Sequence, residues 1–319
     1  MKKLGIWRLR FRMWGAMMLL FALIYVLVLL VGSFLGFKQY SLFPLIGIAI
    51  ILVQYLVGPK IVELSMGVKY VSENEAPDLH RIVAELAETA GIPKPKIGVS
   101  ETPVPNAFAF GKYKGDGRVC VTRGLLNILY EKEVRAVLGH EIAHIKHNDM
   151  IVTTIVSAVP SLFYWVYLSF MFGGNDNNNR FIIGIFALVA YFVGQLIVLF
   201  ISRVREYYAD QGSIEYGNSP DTLASALYKL VYGAANCDKQ HIDNVKGTSA
   251  FFLNDVKNSG FDIEELSQLD SDNDGNISAS ELAQLKYRNT KIKRSEKLFE
   301  LMSTHPNMLK RMERLAQYI

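Results

Sequence analysis

Few residues of this 319-residue sequence belong to the types that staple or charge a soluble fold. Cysteine occurs twice, at Cys120 and Cys237, so neither a disulfide framework nor a four-cysteine zinc site can be built, and both are read as packing residues of a chain suited to a reducing compartment. Charged side chains make up 20% of the chain, below the roughly 25% of average globular sequences. The net charge of +4 is dispersed and no basic stripe is interleaved with aromatics, which argues against a nucleic-acid partner. There is no internal repeat. What the chain does have is apolar: half of its residues are hydrophobic, too many for a disordered chain, and they run together in stretches that point to a membrane component.

Four stretches bear comparison with a hydrocarbon core of roughly 30 Å, which a helix crosses in about 20 residues. They are Met13 to Phe37, Leu42 to Val57, Ile151 to Phe172 and Phe181 to Ile201. The first and fourth carry essentially no ionisable group, and the third is interrupted only by Thr153, Thr154, Ser157 and Pro160, which a membrane helix absorbs. The second is shorter and contains Pro44 and Gly47, so a re-entrant or buried helix competes with a full span. Lys2, Lys3, Arg8, Arg10 and Arg12 precede the first stretch, with Trp7 and Trp14 at interfacial positions; the positive-inside rule makes this an uncleaved anchor starting in the cytoplasm. The linkers Gly36 to Ser41 and Gly173 to Arg180 are short and poor in positive charge. The expectation is a multi-pass protein of the cytoplasmic membrane, its four spans in two hairpins and its hydrophilic parts on the cytoplasmic side.

Between the hairpins, Glu63 to Thr89 shows helical spacing in Leu79, Ile82, Val83 and Leu86, and stops at Gly91 before Pro93 and Pro95. Lys96 to Ser100, Ala107 to Gly111 and Arg118 to Thr122 read as strands of a small sheet. A helix begins near Glu131 and, with no Pro or Gly cluster to break it, is expected to run directly towards the third span. After the fourth span the chain reads as mainly helical, with turns at Gly217 to Pro220, Gly233 to Asn236 and Gly260. This divides the chain into an anchor and first hairpin (1–60), a segment with the sheet (61–150), a second hairpin (151–201) and a helical segment (202–319).

His140-Glu141-Ile142-Ala143-His144 is an HExxH motif. Residues four apart share one helical face, so both imidazoles can reach one metal ion while Glu141 projects beside it towards an attacking water. A catalytic zinc needs a third protein ligand. His147 stacks one turn above His144, but three ligands in line on a helix cannot surround an ion, and it reads as an interfacial polar residue. Glu206 is the stronger candidate, because two membrane crossings return the chain to the side it left. An ion pair of Glu206 with Arg203 or Arg205 is the competing reading. Asp210, on the same face as Glu206, could accept the distal N–H of a ligating imidazole.

With these residues, the chain resembles the HtpX-type integral-membrane zinc metalloproteases, relatives of the CAAX prenyl endoprotease. The resemblance rests on the basic N-terminus before two spans, Asn106 to Gly111, Val121 to Leu126, HExxH, the second hydrophobic pair, Arg205 to Asp210 and Thr304-His305-Pro306. It implies an α-helical membrane protein whose catalytic domain is mainly α and zincin-like, with a small β-sheet. It also implies one zinc on His140, His144 and Glu206, Glu141 as general base and acid, and His305 as a catalytic group near the scissile carbonyl. The segment at Asn106, Ala107 and Phe108 would be a substrate-binding edge strand, and Arg311 matches an arginine of the family's substrate site. The implied function is hydrolysis of peptide bonds in membrane-associated or misfolded proteins, in contact with the lipid bilayer.

A second motif lies outside that pattern, in an apparent insertion at about 255–290. The stretch 270–281, DSDNDGNISASE, fits a 12-residue EF-hand loop. Asp270, Asp272, Asp274, Asn276, Ser278 and Glu281 stand at the calcium-ligand positions and Gly275 at the sharp turn. Ile263, Leu266 and Leu269 before it, and Leu282 and Leu285 after it, have helical spacing. One calcium is expected, as a brace in preference to a gate because EF-hands usually work in pairs. The alternative function is a non-enzymatic, membrane-anchored calcium sensor or scaffold; a transporter would need intramembrane charges that the spans lack.

Overall fold

The computed structural model describes residues 11–13, 15–20, 22–23, 42–172, 178–237, 263, 266–285 and 300–319. The basic residues up to Arg10, most of the first apolar stretch, the linker tips and Gly260 lie outside the described residues. The chain divides into two units, Met1–Gly58 with Ile151–Val204, and Pro59–Met150 with Arg205–Ile319.

The first unit contains most of two long helices, α5 (Asp149–Phe172) and α6 (Asn178–Glu215), and the start of α1 (Leu42–Ser65). Among the described residues, two helices are long and apolar enough to cross a membrane, Asp149–Met171 and Arg180–Glu215. Val156, Val159 and Phe163 pack with Ala187, Ala190, Ile197 and Ile201, and Leu20 joins this cluster. The small alanines allow close approach of backbones, as helix pairs in lipid require. Trp165, Phe181, Ile182 and Phe192 stay exposed, which in water would cost free energy and in hydrocarbon would not.

The second unit is built on a four-stranded sheet of β1 (Val68–Tyr70), β2 (Lys96–Ser100), β3 (Ala107–Phe110) and β4 (Arg118–Thr122), ordered β1-β2-β4-β3. The central pair is parallel, with Ile97 opposite Val119, while β1 and β3 run antiparallel to their neighbours. β3 is therefore an edge strand. Helix α2 (Pro77–Ala90) buries Leu79, Ile82, Val83 and Leu86, and stops at Gly91, whose φ of +67° gives the left-handed closure that glycine adopts without strain. Short α3 (Arg123–Ile128) starts at Thr122, whose hydroxyl accepts the Leu125 N–H. Then come α4 (Glu131–Lys146) and α7 (Pro220–Ala235), followed by α8 (Ala279–Gln284) and α9 (Met308–Ala316).

Helix α4 is buried along most of its length, its apolar side joined to the α2 and sheet core through Val134, Val137, Leu138 and Ile142. Its first turn is fastened by Glu133. One carboxylate oxygen accepts the Tyr130 N–H at 2.8 Å; the other accepts Ser225 Oγ at 2.9 Å and Lys229 Nζ at 2.7 Å from α7. A carboxylate only 1% exposed is thus fully partnered, as a buried charge must be.

Two expectations are corrected. Glu63 to Thr89 is not one helix, because Gly67 turns the chain at φ +58° and β1 intervenes before α2. Nor does the helix from Glu131 continue into the third span. It ends at Lys146, and Asn148 takes φ +54° before α5 starts at Asp149. Asparagine visits the left-handed region more readily than other residues with a Cβ, so it breaks a helix without Pro or Gly.

Candidate metal centre

His140 and His144 lie one turn apart on α4, their rings edge to face with centroids 4.8 Å apart. Glu206 reaches them from α6: its Oε2 is 3.5 Å from His140 Nε2, and its Oε1 is 3.6 Å from His144 Nε2. The two Nε2 atoms are 3.1 Å apart. Ligands about 2.0–2.1 Å from a tetrahedral zinc stand roughly 3.3 Å from one another, so the three groups have the spacing of one face of such a tetrahedron. Glu206 Oε2 is buried and makes no hydrogen bond, the condition of an atom shaped for a cation. The donor set fits zinc: two neutral imidazoles and one carboxylate on rigid helices.

Behind each imidazole stands a carboxylate. His140 Nδ1 is 2.9 Å from Asp210 Oδ1, and Arg311 of α9 grips Asp210 with Nε at 2.9 Å and Nη2 at 2.6 Å. His144 Nδ1 is 2.6 Å from Asp149 Oδ2, which also lies 3.0 Å from Arg205 Nη2. Without a metal, burial opposes charge on His140, but the carboxylates of Asp210 and Glu206 overcome it and push the ring up to about 9. For His144, burial and the neighbouring His140 charge push it down to about 4.

Glu141 is 3% exposed, and burial holds its carboxyl above the ordinary value against the pull of both histidines. The Ala109 N–H of β3 bonds to this carboxylate, so the sheet edge and Glu141 are neighbours. His305, just before α9, has Nδ1 3.6 Å from Glu206 Oε2, and neither ring nitrogen makes a hydrogen bond. His147 caps α4 from an exposed position against Tyr208, outside the group formed by His140, His144 and Glu206.

The substrate-site side chains are placed differently from expectation. Asn106, Ala107 and Phe108 are 0%, 1% and 4% exposed, main chain included, so Ala109 is the one partly exposed residue of β3. Arg311 is fully buried and committed to Asp210, with Nη1 3.6 Å from Glu206, and so is removed from any substrate surface. Asp149 was missed by sequence reasoning altogether, and Arg205 was weighed only as a partner for Glu206. The readable signal was Asn148, a residue able to take a left-handed conformation and break the helix just after His144.

In the predicted calcium loop, carboxylate oxygens of Asp270, Asp272 and Asp274 come within 4.8 Å of one another. Gly275 turns at φ +79°. Asp270 accepts the Asp274 and Gly275 N–H groups, each at 3.0 Å, and the Tyr228 hydroxyl of α7 at 3.2 Å. Asn276 lies 3.5 Å from Ser225 Oγ, Ser278 caps α8, and Glu281 is bonded to Ser271 and Ser278, apart from the aspartate trio.

Comparison with known proteins gives a consistent family. The model of Peptidase family M48 matches residues 73–319. A protease HtpX homolog of Methanothermobacter thermautotrophicus is 61% identical over 231 residues, covering 72% of this chain and 89% of the relative. One from Moorella thermoacetica is 38% identical over 213 residues, covering 63% and 70%. Among solved structures, that of S. mikatae Ste24p aligns with 92% of this chain at 18% identity and a TM-score of 0.49; the aligned part is 62% of that longer chain.

Proposed function

This chain belongs to peptidase family M48, a metalloprotease family, and on that premise we propose a membrane-anchored zinc endopeptidase that cleaves membrane-associated or misfolded proteins. The observation that carries this reading is the convergence of His140, His144 and Glu206: the two Nε2 atoms are 3.1 Å apart, the Glu206 oxygens lie 3.5 Å (Oε2) from His140 Nε2 and 3.6 Å (Oε1) from His144 Nε2, and Oε2 is buried without a hydrogen bond. These three residues would hold the zinc. When bound, zinc polarises the scissile carbonyl and acidifies the attacking water.

The chain's own groups carry the rest. Glu141 takes the proton from that water and delivers it to the leaving amine, so no covalent intermediate is needed. Its raised proton affinity, a result of burial, favours the base role near neutral pH. The edge position of β3, with Ala109 as its one partly exposed residue and the Ala109 N–H bonded to Glu141, supports docking of an extended peptide beside the base. Both ring nitrogens of His305 are without a hydrogen bond and Nδ1 lies 3.6 Å from Glu206 Oε2, which supports a role for this imidazole in stabilising the oxyanion of the tetrahedral state. The two long apolar helices support anchoring in a bilayer, and the basic N-terminus supports a cytoplasmic catalytic unit. Calcium at residues 270–281 is a separate part of the reading. The aspartate trio and the turn at Gly275 support it, and the hydrogen bond that the Tyr228 hydroxyl of α7 donates to Asp270 favours a bracing role.

The deciding experiment is cleavage of an unfolded protein by detergent-purified chain, with zinc counted and with chelator and zinc add-back. Cleavage that disappears with chelator, returns with zinc and is lost in a zinc-loaded Glu141→Gln variant supports the proposal. A wild-type protein that binds no zinc overturns it.

A further inference from the structure

Each imidazole of the proposed zinc site has a carboxylate behind it and a buried guanidinium behind the carboxylate. For His140 the pair is Asp210 and Arg311, and Asp210 follows Glu206 by one helical turn, where the sequence invites the search. For His144 the pair comes from elsewhere. Asp149 is the first residue of α5, beyond the turn at Asn148, and Arg205 immediately precedes Glu206 on α6. Their side chains are 8% and 7% exposed, and both His144 Nδ1 and Arg205 Nη2 converge on Asp149 Oδ2, at 2.6 and 3.0 Å.

A neutral imidazole has one N–H and one lone pair. An acceptor at Nδ1 fixes the N–H there, which leaves the Nε2 lone pair directed at Glu206 Oε1 and His140 Nε2. Without that acceptor, the ring can exchange tautomers and rotate, and both changes remove a ligand. Asp149 can hold the ring only if its own side chain is held, and Arg205 does that from a second helix. The left-handed turn at Asn148 matters for the same reason, because a continuous helix would carry residue 149 about 100° further round with each step and off the His144 face.

We propose that Asp149, clamped by Arg205, is a positioning residue that sets the tautomer and orientation of His144 for metal binding. This rests on the zinc reading above. The test uses the full chain in detergent, with zinc affinity measured by competition against a chromophoric chelator and the visible spectrum of the cobalt-loaded protein as a second readout. Asp149→Ala is expected to weaken zinc binding 10–100-fold. Asp149→Asn should weaken it at least tenfold, because its amide can donate to Nδ1 and trap the wrong tautomer; being isosteric, it decides the matter if the alanine variant does not fold. Arg205→Met should act in the same direction and Arg205→Lys should recover most of the loss. Altered cobalt spectra in Asp149→Asn and Arg205→Met support the inference. Wild-type zinc affinity and cobalt spectra in both overturn it, whereas failure of the zinc reading would show earlier, as a wild-type chain that binds no zinc.

Discussion

Glu141 and Glu206 are both buried carboxylates in one site, yet their surroundings give them different tasks. Glu206 faces His140, His144 and His305 at 3.5–3.6 Å and is placed to bind a cation. Glu141 has a backbone N–H and a less compensated burial, which suits a proton carrier. Glu141→Gln is therefore expected to retain zinc while kcat falls by at least about 10²–10⁴-fold, the usual worth of a positioned acid–base group; metal analysis and peptide turnover on one preparation check both halves. The thiols separate just as sharply. Burial pushes Cys120 up to about 12, while Cys237 is partly exposed. A maleimide at pH 7.5 should label one thiol per native chain and two after unfolding, read by mass spectrometry.

At the level of elements, α4 and α6 must lie close for two histidines to meet one glutamate, and glycine makes the room. A Cβ on Gly212 would stand 2.5 Å from Ala143 Cβ, within the HExxH segment itself. Gly212→Ala should cost about 1–3 kcal/mol in a thermal melt and weaken zinc binding with it, since the strain is relieved by moving α6 from α4. Glu281 offers a pH test. Although burial would raise it, bonds from Ser278 and Ser271 hold its carboxyl below the ordinary value. The folded state thus binds fewer protons, and the contribution is present above the unfolded value of about 4.3 and lost as pH falls through the folded one. In calcium-free buffer, Glu281→Gln should melt below wild type at pH 7, with the difference closing at lower pH.

Much of this was legible because spacing alone encodes it. Positions 140 and 144 share a face in any helix, Leu79 to Leu86 mark α2, and Gly91 marks its end. The β2, β3 and β4 strands were framed by Pro and Gly. Three-residue β1 was not, because a strand that short carries no period of its own and is fixed by pairing with β2. The partnership of Asp149 with His144 and Arg205 depends on a left-handed residue at one asparagine and on a helix more than 50 residues away, and neither local pattern announces it.

For the whole molecule, the expectation is that the chain stays in the membrane pellet after an alkaline carbonate wash and leaves it only in detergent, as checked by fractionation and blotting. Its second unit should also prove less stable when stripped of metal. Around the two imidazoles lie four carboxylates, Glu141, Asp149, Glu206 and Asp210, and two guanidiniums, Arg205 and Arg311, all less than 9% exposed. With every carboxylate ionised, that set carries two negative charges in excess, and a divalent cation neutralises them in one event. The arginine clamps thus set the valence of the site as well as its shape. A monovalent ion would leave an uncompensated charge in a place with little water, and removing either guanidinium would make the site ask for more positive charge than zinc has to give.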